Sequence, residues 1–156
     1  MKAFVMALLL AAQVLTVPGA AGVLKVLPDA RLKLLNGDVV RLAGVRVTKR
    51  APAVAFLKKF VEKKPVKFEV EPAQKGAGYL FVSASCDDVA KYLKEKALPQ
   101  GPNCARSVFV NEVFLQQGWA KPALKNITLY KEKLESAVPA KKPPTKKAPG
   151  KAKRRH

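Results

Sequence analysis

Hydrophobic and polar positions change period several times along this chain. Val23-Leu24-Lys25-Val26-Leu27 is an apolar run of strand length, and Arg31-Leu32-Lys33-Leu34 alternates strictly, as a half-buried strand does. Asn36-Gly37 separates it from a further run, Asp38 to Val45. Asn-Gly between two such runs is a strong hairpin signal, because a tight primed turn needs positive φ. From Pro52 the period becomes helical. Val54, Leu57 and Val61 lie three and four residues apart with Phe60 beside them, while Lys58, Lys59, Glu62 and Lys63 take the other face. Proline suits the first turn of such a helix, and Pro65 stops it.

Strict alternation returns in Val66 to Glu71. Gly76-Ala77-Gly78 leads into a strand at Tyr79-Leu80-Phe81-Val82, and Ser107 to Val110 is another. Asn111 is placed to cap a short helix, Glu112 to Gln117, ended by Gly118. Ile127, Tyr130, Leu134 and Ala137 mark a last helix. The order β-β-β-α-β-β-α-α predicts a small closed barrel of the OB type, five strands with about three helices. Alternation assigns Tyr79 and Phe81 to its core, and Trp119 packs on the barrel.

Between the last two strands, Cys86 and Cys104 bracket an insertion at 86–104. Asp87 or Asp88 can cap a helix there, with Val89, Leu93 and Lys96 or Ala97 on one face, before the turn residues Pro99 to Asn103. Both cysteines fall at the base of a hairpin, where the strands are close. In an exported chain they would form a disulfide stapling the insertion; in a reducing compartment they would be free thiols.

The ends differ from the middle. Lys2, the apolar stretch Ala3 to Leu15 and the small residues before Gly22 follow the order of a secretory signal peptide over 1–21, with cleavage after Ala21. The stretch is too short for a membrane span. Residues 138–156 are rich in Lys, Pro and Ala. They cannot bury enough surface to offset ordering entropy, so this tail should be disordered. It serves either as a nonspecific polyanion arm or as a solubilising spacer.

Composition narrows the chemistry. There are 30 Lys+Arg against 11 Asp+Glu, a formal net charge of +19, with 2 Cys and 1 His. The histidine is His156, in the tail, which removes Ser-His, Cys-His and multi-His metal chemistry. An acidic partner is the main inference left: nucleic acid, anionic lipid or another polyanion. Asn126-Ile127-Thr128 also fits a glycosylation sequon, a triplet that arises often by chance.

Several blocks together resemble the staphylococcal nuclease (thermonuclease) family. They are Asn36 to Val45, Ala55 to Glu62, Val66 to Val70, Gly78 to Val82, Val110-Asn111-Glu112, Gln117 to Lys121, and Leu129 to Ala137, in family order over about residues 23–137. The resemblance implies a five-stranded OB barrel and calcium-dependent cleavage of DNA and RNA. In that chemistry carboxylates hold the metal, a Glu assists the attacking water, and two arginines hold the phosphate. Arg41 keeps the first arginine. The acidic positions, however, carry Ala30, in Pro28-Asp29-Ala30-Arg31, then Arg46 and Lys49, and Lys75 stands for the second arginine. Cations there repel a hard dication that needs oxygen ligands. Asp29 can substitute only if the register slips by one, which reverses the face of a strand, and Asp38 serves its turn.

The expectation is therefore an exported, catalytically inactive barrel of this type. It binds nucleic acid or another polyanion through Arg41, Arg46, Lys49, Arg50 and Lys75, with no metal or other cofactor. Two rivals follow: a weak or divergent metal-dependent nuclease that uses calcium, and a structural envelope protein whose basic surface meets anionic polymers or lipid. Secretion or a periplasmic location accompanies all three.

Overall fold

The computed structural model describes residues 20–92 and 102–140. Three strands, β1 (Ala20–Val26), β2 (Leu32–Leu34) and β3 (Val39–Leu42), form an antiparallel meander. A short β4 (Val45–Val47) and the helix α1 (Arg50–Phe60) follow, then β5 (Pro65–Val70) and the long β6 (Ala77–Ser85). β5 pairs with both β1 and β6. A parallel pairing of β3 with β6, Arg41 opposite Ala77 and Leu42 opposite Gly78, closes the five strands into a barrel. Gly78 permits that closure. A Cβ there would collide with the Glu69 carbonyl oxygen and the Phe68 ring, so no larger residue fits where three strands converge.

Among the described residues, four helices accompany the barrel: α1, α2 (Cys86–Ala90), α3 (Val110–Gln116) and α4 (Lys131–Ala137). Strand β7 (Ala105–Phe109) extends β6 outside the barrel, and β8 (Ala120–Pro122) pairs with β4 in a separate two-stranded ribbon. Apolar positions of α1 (Ala53, Phe56, Leu57, Phe60) are buried, as the helical spacing requires. Phe56 lies 4.7 Å from Phe60 and 5.7 Å from Trp119, ring centre to ring centre. Trp119 is half-buried against the core, Tyr79 is fully buried and Phe81 partly so.

Several local expectations are corrected. The Asn36-Gly37 hairpin is not a two-residue primed turn. The Gly37 N–H donates to Leu34 O (3.0 Å) and the Leu34 N–H to Asp38 O (2.8 Å), with Gly37 alone at positive φ, +92°. This is a three-residue loop ending in a left-handed glycine. The β1–β2 connection repeats it, with Ala30 at φ +64° in the glycine's place. The run through Val45 breaks at Gly44, where β3 gives way to β4.

Asn111 does not cap a helix. It lies inside α3, fully buried, and bridges the fold: its Nδ2 donates to Ala43 O (2.8 Å) and Gly78 O (3.2 Å), and its Oδ1 accepts from the Leu80 N–H (3.0 Å). Val110 belongs to α3 rather than to the strand before it. The cap of α2 is Ser85, whose hydroxyl accepts from the Asp88 N–H, so Asp87 and Asp88 fill the first turn instead. The last helix starts only at Lys131, because Tyr130 is left-handed and ends the preceding loop.

Cys86 and Cys104 form a disulfide with 5.4 Å between their Cα atoms. It sits beside the last β6–β7 pair, Ser85 opposite Ala105, and the Cys86 N–H donates to Cys104 O (3.0 Å). Leu93, Lys96 and Ala97 of the expected insertion helix lie outside the described residues, as do residues 1–19 of the expected signal peptide and 141–156 of the tail. Ala20, Ala21 and Gly22 pair with Lys67, Val66 and Pro65, so cleavage after Ala21 would remove two paired residues from β1. Among the described residues, no helix is long and apolar enough to cross a membrane.

Candidate anion-binding rim

β3 buries Val40 and Leu42 and exposes Arg41, as strand alternation dictates. The Arg41 N–H donates to Gly76 O (2.9 Å), which brings β3 beside the turn that carries exposed Lys75. The β2–β3 register pairs Leu32 with Val40 and Lys33 with Val39.

A second group gathers where β4, β8 and α1 meet. Arg46 stands directly opposite Lys121, both exposed. Directly opposed residues of an antiparallel pair share a face with about 5 Å between Cβ atoms, so two like charges stand side by side. The N–H groups of Thr48 and Lys49 both donate to Trp119 O, at 2.8 and 2.9 Å. The Thr48 hydroxyl donates to the same oxygen (3.2 Å). This three-donor clasp pins the entry of α1 against the strand bearing Lys121. Lys49 is the residue before α1 and Arg50 its first, both exposed, with no acidic residue in the first turn. Cations at that end add to the positive pole of the helix instead of neutralising it.

Arg41, Arg46, Lys49, Arg50, Lys75 and Lys121 make no ion pair among the described residues. The sequence explains why: no acid occurs between Asp38 and Glu62. The acids that are present have other partners. Asp29 holds Arg31 at 2.6 Å. Burial would raise its pKa, but the N–H and guanidinium of Arg31 reverse that and hold it below the ordinary value. Asp38 accepts from Asn36 Nδ2 (2.8 Å).

Of the residues singled out from sequence, Arg41 and Lys75 come together on one side. Arg46, Lys49 and Arg50 come together at the β4–β8–α1 corner. Ala30 joins neither, since its methyl is buried in the hydrophobic core. The resemblance's calcium does not fit these residues. Position 30 is inside the core, positions 46 and 49 are cationic, and Asp29 is committed to Arg31. Among the described residues there is no group of three or more His, Cys, Asp or Glu able to hold a metal ion.

Lys121 was not singled out from sequence as a member of the rim, because a three-residue strand carries no period.

A different polar centre lies inside the barrel's edge. Glu71, 1% exposed, follows β5 and accepts from the Thr128 hydroxyl (2.6 Å) and N–H (3.1 Å), the Leu129 N–H (3.3 Å), the Ala73 N–H (2.9 Å) and the Tyr79 hydroxyl. Burial pushes this carboxyl up, but the Thr128 and Tyr79 hydroxyls and the backbone donors outweigh it and hold it at about 2. Burial and the neighbouring Glu71 push Tyr79 well above its ordinary value. Glu71 therefore stays ionised and fully engaged, tying β5 and β6 to the loop before α4. It is a structural clamp, not a reactive acid. No protein-family model and no curated protein matches this chain.

Proposed function

We propose that this protein is a non-catalytic, thermonuclease-like barrel that binds nucleic acid or another polyanion through its cationic rim and works outside the cytoplasm. The observation that carries the reading is two groups of exposed cations with no acidic partner among the described residues, Arg41 with Lys75 and Arg46, Lys49 and Arg50 with Lys121, Arg46 facing Lys121 above all. Like charges held side by side cost stability in the free protein. An anionic backbone laid across them removes that repulsion and releases its own counterions. The rim offers no aromatic ring for stacking, since Trp119, Tyr79 and Phe81 are occupied in packing. Binding therefore rests on the backbone and not on bases. The disulfide supports export, because such bonds persist in oxidising compartments.

The test is titration of the protein with single-stranded DNA across salt concentrations, with calcium, magnesium or manganese present in parallel. The expected result is binding without cleavage, its logarithm falling with log salt by about 0.7 per phosphate engaged. Metal-dependent cleavage lost in Arg41→Ala would establish the nuclease reading instead. No binding at low salt would leave the structural envelope reading.

A further inference from the structure

Away from the β4–β8–α1 corner, the barrel carries an open apolar slot of about 490 Å³. It is lined by Gly22, Val23 and Leu24 of β1, by Leu35, and by Lys63, Lys64 and Pro65. That volume is within the range of small-ligand sites. The walls are anchored by backbone bonds. The Leu35 N–H donates to Gly22 O (3.0 Å), the Lys63 N–H donates to Val23 O (2.9 Å), and Gly22 pairs with Pro65. Leu35 folds over Gly22 so closely that a Cβ at position 22 would collide with its side chain. The slot is thus built into the fold.

Its surroundings are amphipathic in a definite way. Leu35 is 69% exposed, Leu24 44% and Val39 42%. Lysines frame them: Lys25 and Lys33 are strand partners, both exposed, and Lys63 and Lys64 edge the slot. The acids of these elements are committed elsewhere, Glu62 to the Val26 N–H (2.8 Å) and Asp38 to Asn36. Water gains nothing from an exposed leucine set among lysines, and a polyanion in water would meet only the lysines. An anionic bilayer satisfies both, taking the apolar side chains below the phosphates and the ammonium groups at them.

We propose that this face docks on an anionic membrane surface, with Leu24 and Leu35 entering the interface, one lipid acyl chain occupying the slot, and Lys25, Lys33, Lys63 and Lys64 meeting the headgroup phosphates. This contact is separate from the β4–β8 part of the rim: Arg46 and Lys121 lie on that ribbon, which contributes no residue to the slot.

The experiment is sedimentation of the full chain with vesicles of phosphatidylcholine containing about a third phosphatidylglycerol, and with phosphatidylcholine alone. Leu35→Asp, which alters an exposed side chain, should weaken binding to the anionic vesicles by at least about tenfold, the scale of burying one leucine. Its circular dichroism and melting should match the parent. Lys63→Glu with Lys64→Glu should weaken it comparably, and Arg46→Glu with Lys121→Glu by much less. Part of the parent's binding should survive 0.5 M salt. A phospholipid carrying a photoreactive acyl chain should label the Gly22–Leu24, Leu35 or Lys63–Pro65 peptides. Binding that is insensitive to Leu35→Asp and vanishes at high salt would reduce the effect to net charge and overturn the proposal. Labelling confined to residues 3–15 would assign the lipid contact to the N-terminal apolar stretch and also overturn it. The DNA titration above can succeed or fail independently of either outcome.

Discussion

Two charged regions of this barrel are built on opposite rules. Around Glu71 one carboxylate is buried and surrounded by donors from three parts of the chain: Ala73 beside it, Tyr79 on β6, and Thr128 with Leu129 before α4. Along the rim, cations are exposed and make no ion pair among the described residues, and Arg46 stands opposite Lys121. The first arrangement satisfies its charge internally, so it adds to folding and has nothing left for a ligand. The second leaves its charge unsatisfied, so it adds little to folding and is open to an external anion. The same chemistry of charge yields structure in one place and, in the reading proposed above, recognition in the other, according to whether a partner is supplied in cis.

The sharpest way to break this contrast is to remove Glu71. Glu71→Ala strips acceptors from two hydroxyls and three N–H groups, several of them shielded from water. It should lower unfolding free energy by roughly 3 kcal/mol in a urea titration. Alanine at Arg46 or Lys49 should change it by less than about 0.5 kcal/mol. A Glu71→Ala protein as stable as the parent would mean that the clamp carries no stability.

Acid titration tests the same clamp without mutation. The folded carboxyl of Glu71 sits at about 2 against an ordinary value of 4.5. A group whose pKa is lowered by folding stabilises the fold above its unfolded value. That contribution is lost as pH falls from about 4.5 toward 2. The parent should lose stability through this window, and Glu71→Gln should show a shallower fall. Equal slopes would remove Glu71 from the account of acid unfolding.

How far each region could be read from sequence follows from the same contrast. The barrel was legible where periodicity is set by burial. Leu32, Leu34, Val40 and Leu42 alternate inward, and of the helical stripe Leu57, Phe60 and Val61 are buried while Val54 is only partly so. The disulfide was legible because two cysteines bracketed a hairpin excursion. The clamp was not, because Glu71 looks like one more exposed residue of an alternating strand. Its partners Thr128 and Leu129 are more than fifty residues away, and only the tertiary fold brings them in. Asn111 misled for a related reason. Its type suits a helix cap, yet its three bonds go to Ala43, Gly78 and Leu80 across the barrel. The rim was half legible. Its lack of acids is a sequence fact, but the Arg46–Lys121 juxtaposition comes from a ribbon too short to show a period.

Alanine replacement of both Arg46 and Lys121 should sharpen the comparison from the other side. Stability should hold within about 0.5 kcal/mol. The salt slope for single-stranded DNA should fall by about 1.4, if each cation neutralises one phosphate. An unchanged slope would move the contact to other cations, such as Arg41 and Lys75 or the Lys-rich tail.

The smallest effect is the most diagnostic, because it converts one kind of region into the other. Arg46→Glu places a carboxylate directly opposite Lys121 on the β4–β8 ribbon. A cross-strand pair of opposite charge stabilises by roughly 0.2–1 kcal/mol, whereas the like-charge pair it replaces destabilises. The variant should therefore melt slightly higher than the parent, by a few degrees at most. Its affinity for an anionic backbone should drop, since one cation is lost and another is neutralised. Stability and binding would then move in opposite directions through a single side chain, which is what a rim held open for a ligand requires. If both rise, or if melting falls while binding is unchanged, the repulsion between Arg46 and Lys121 is not what the ligand relieves.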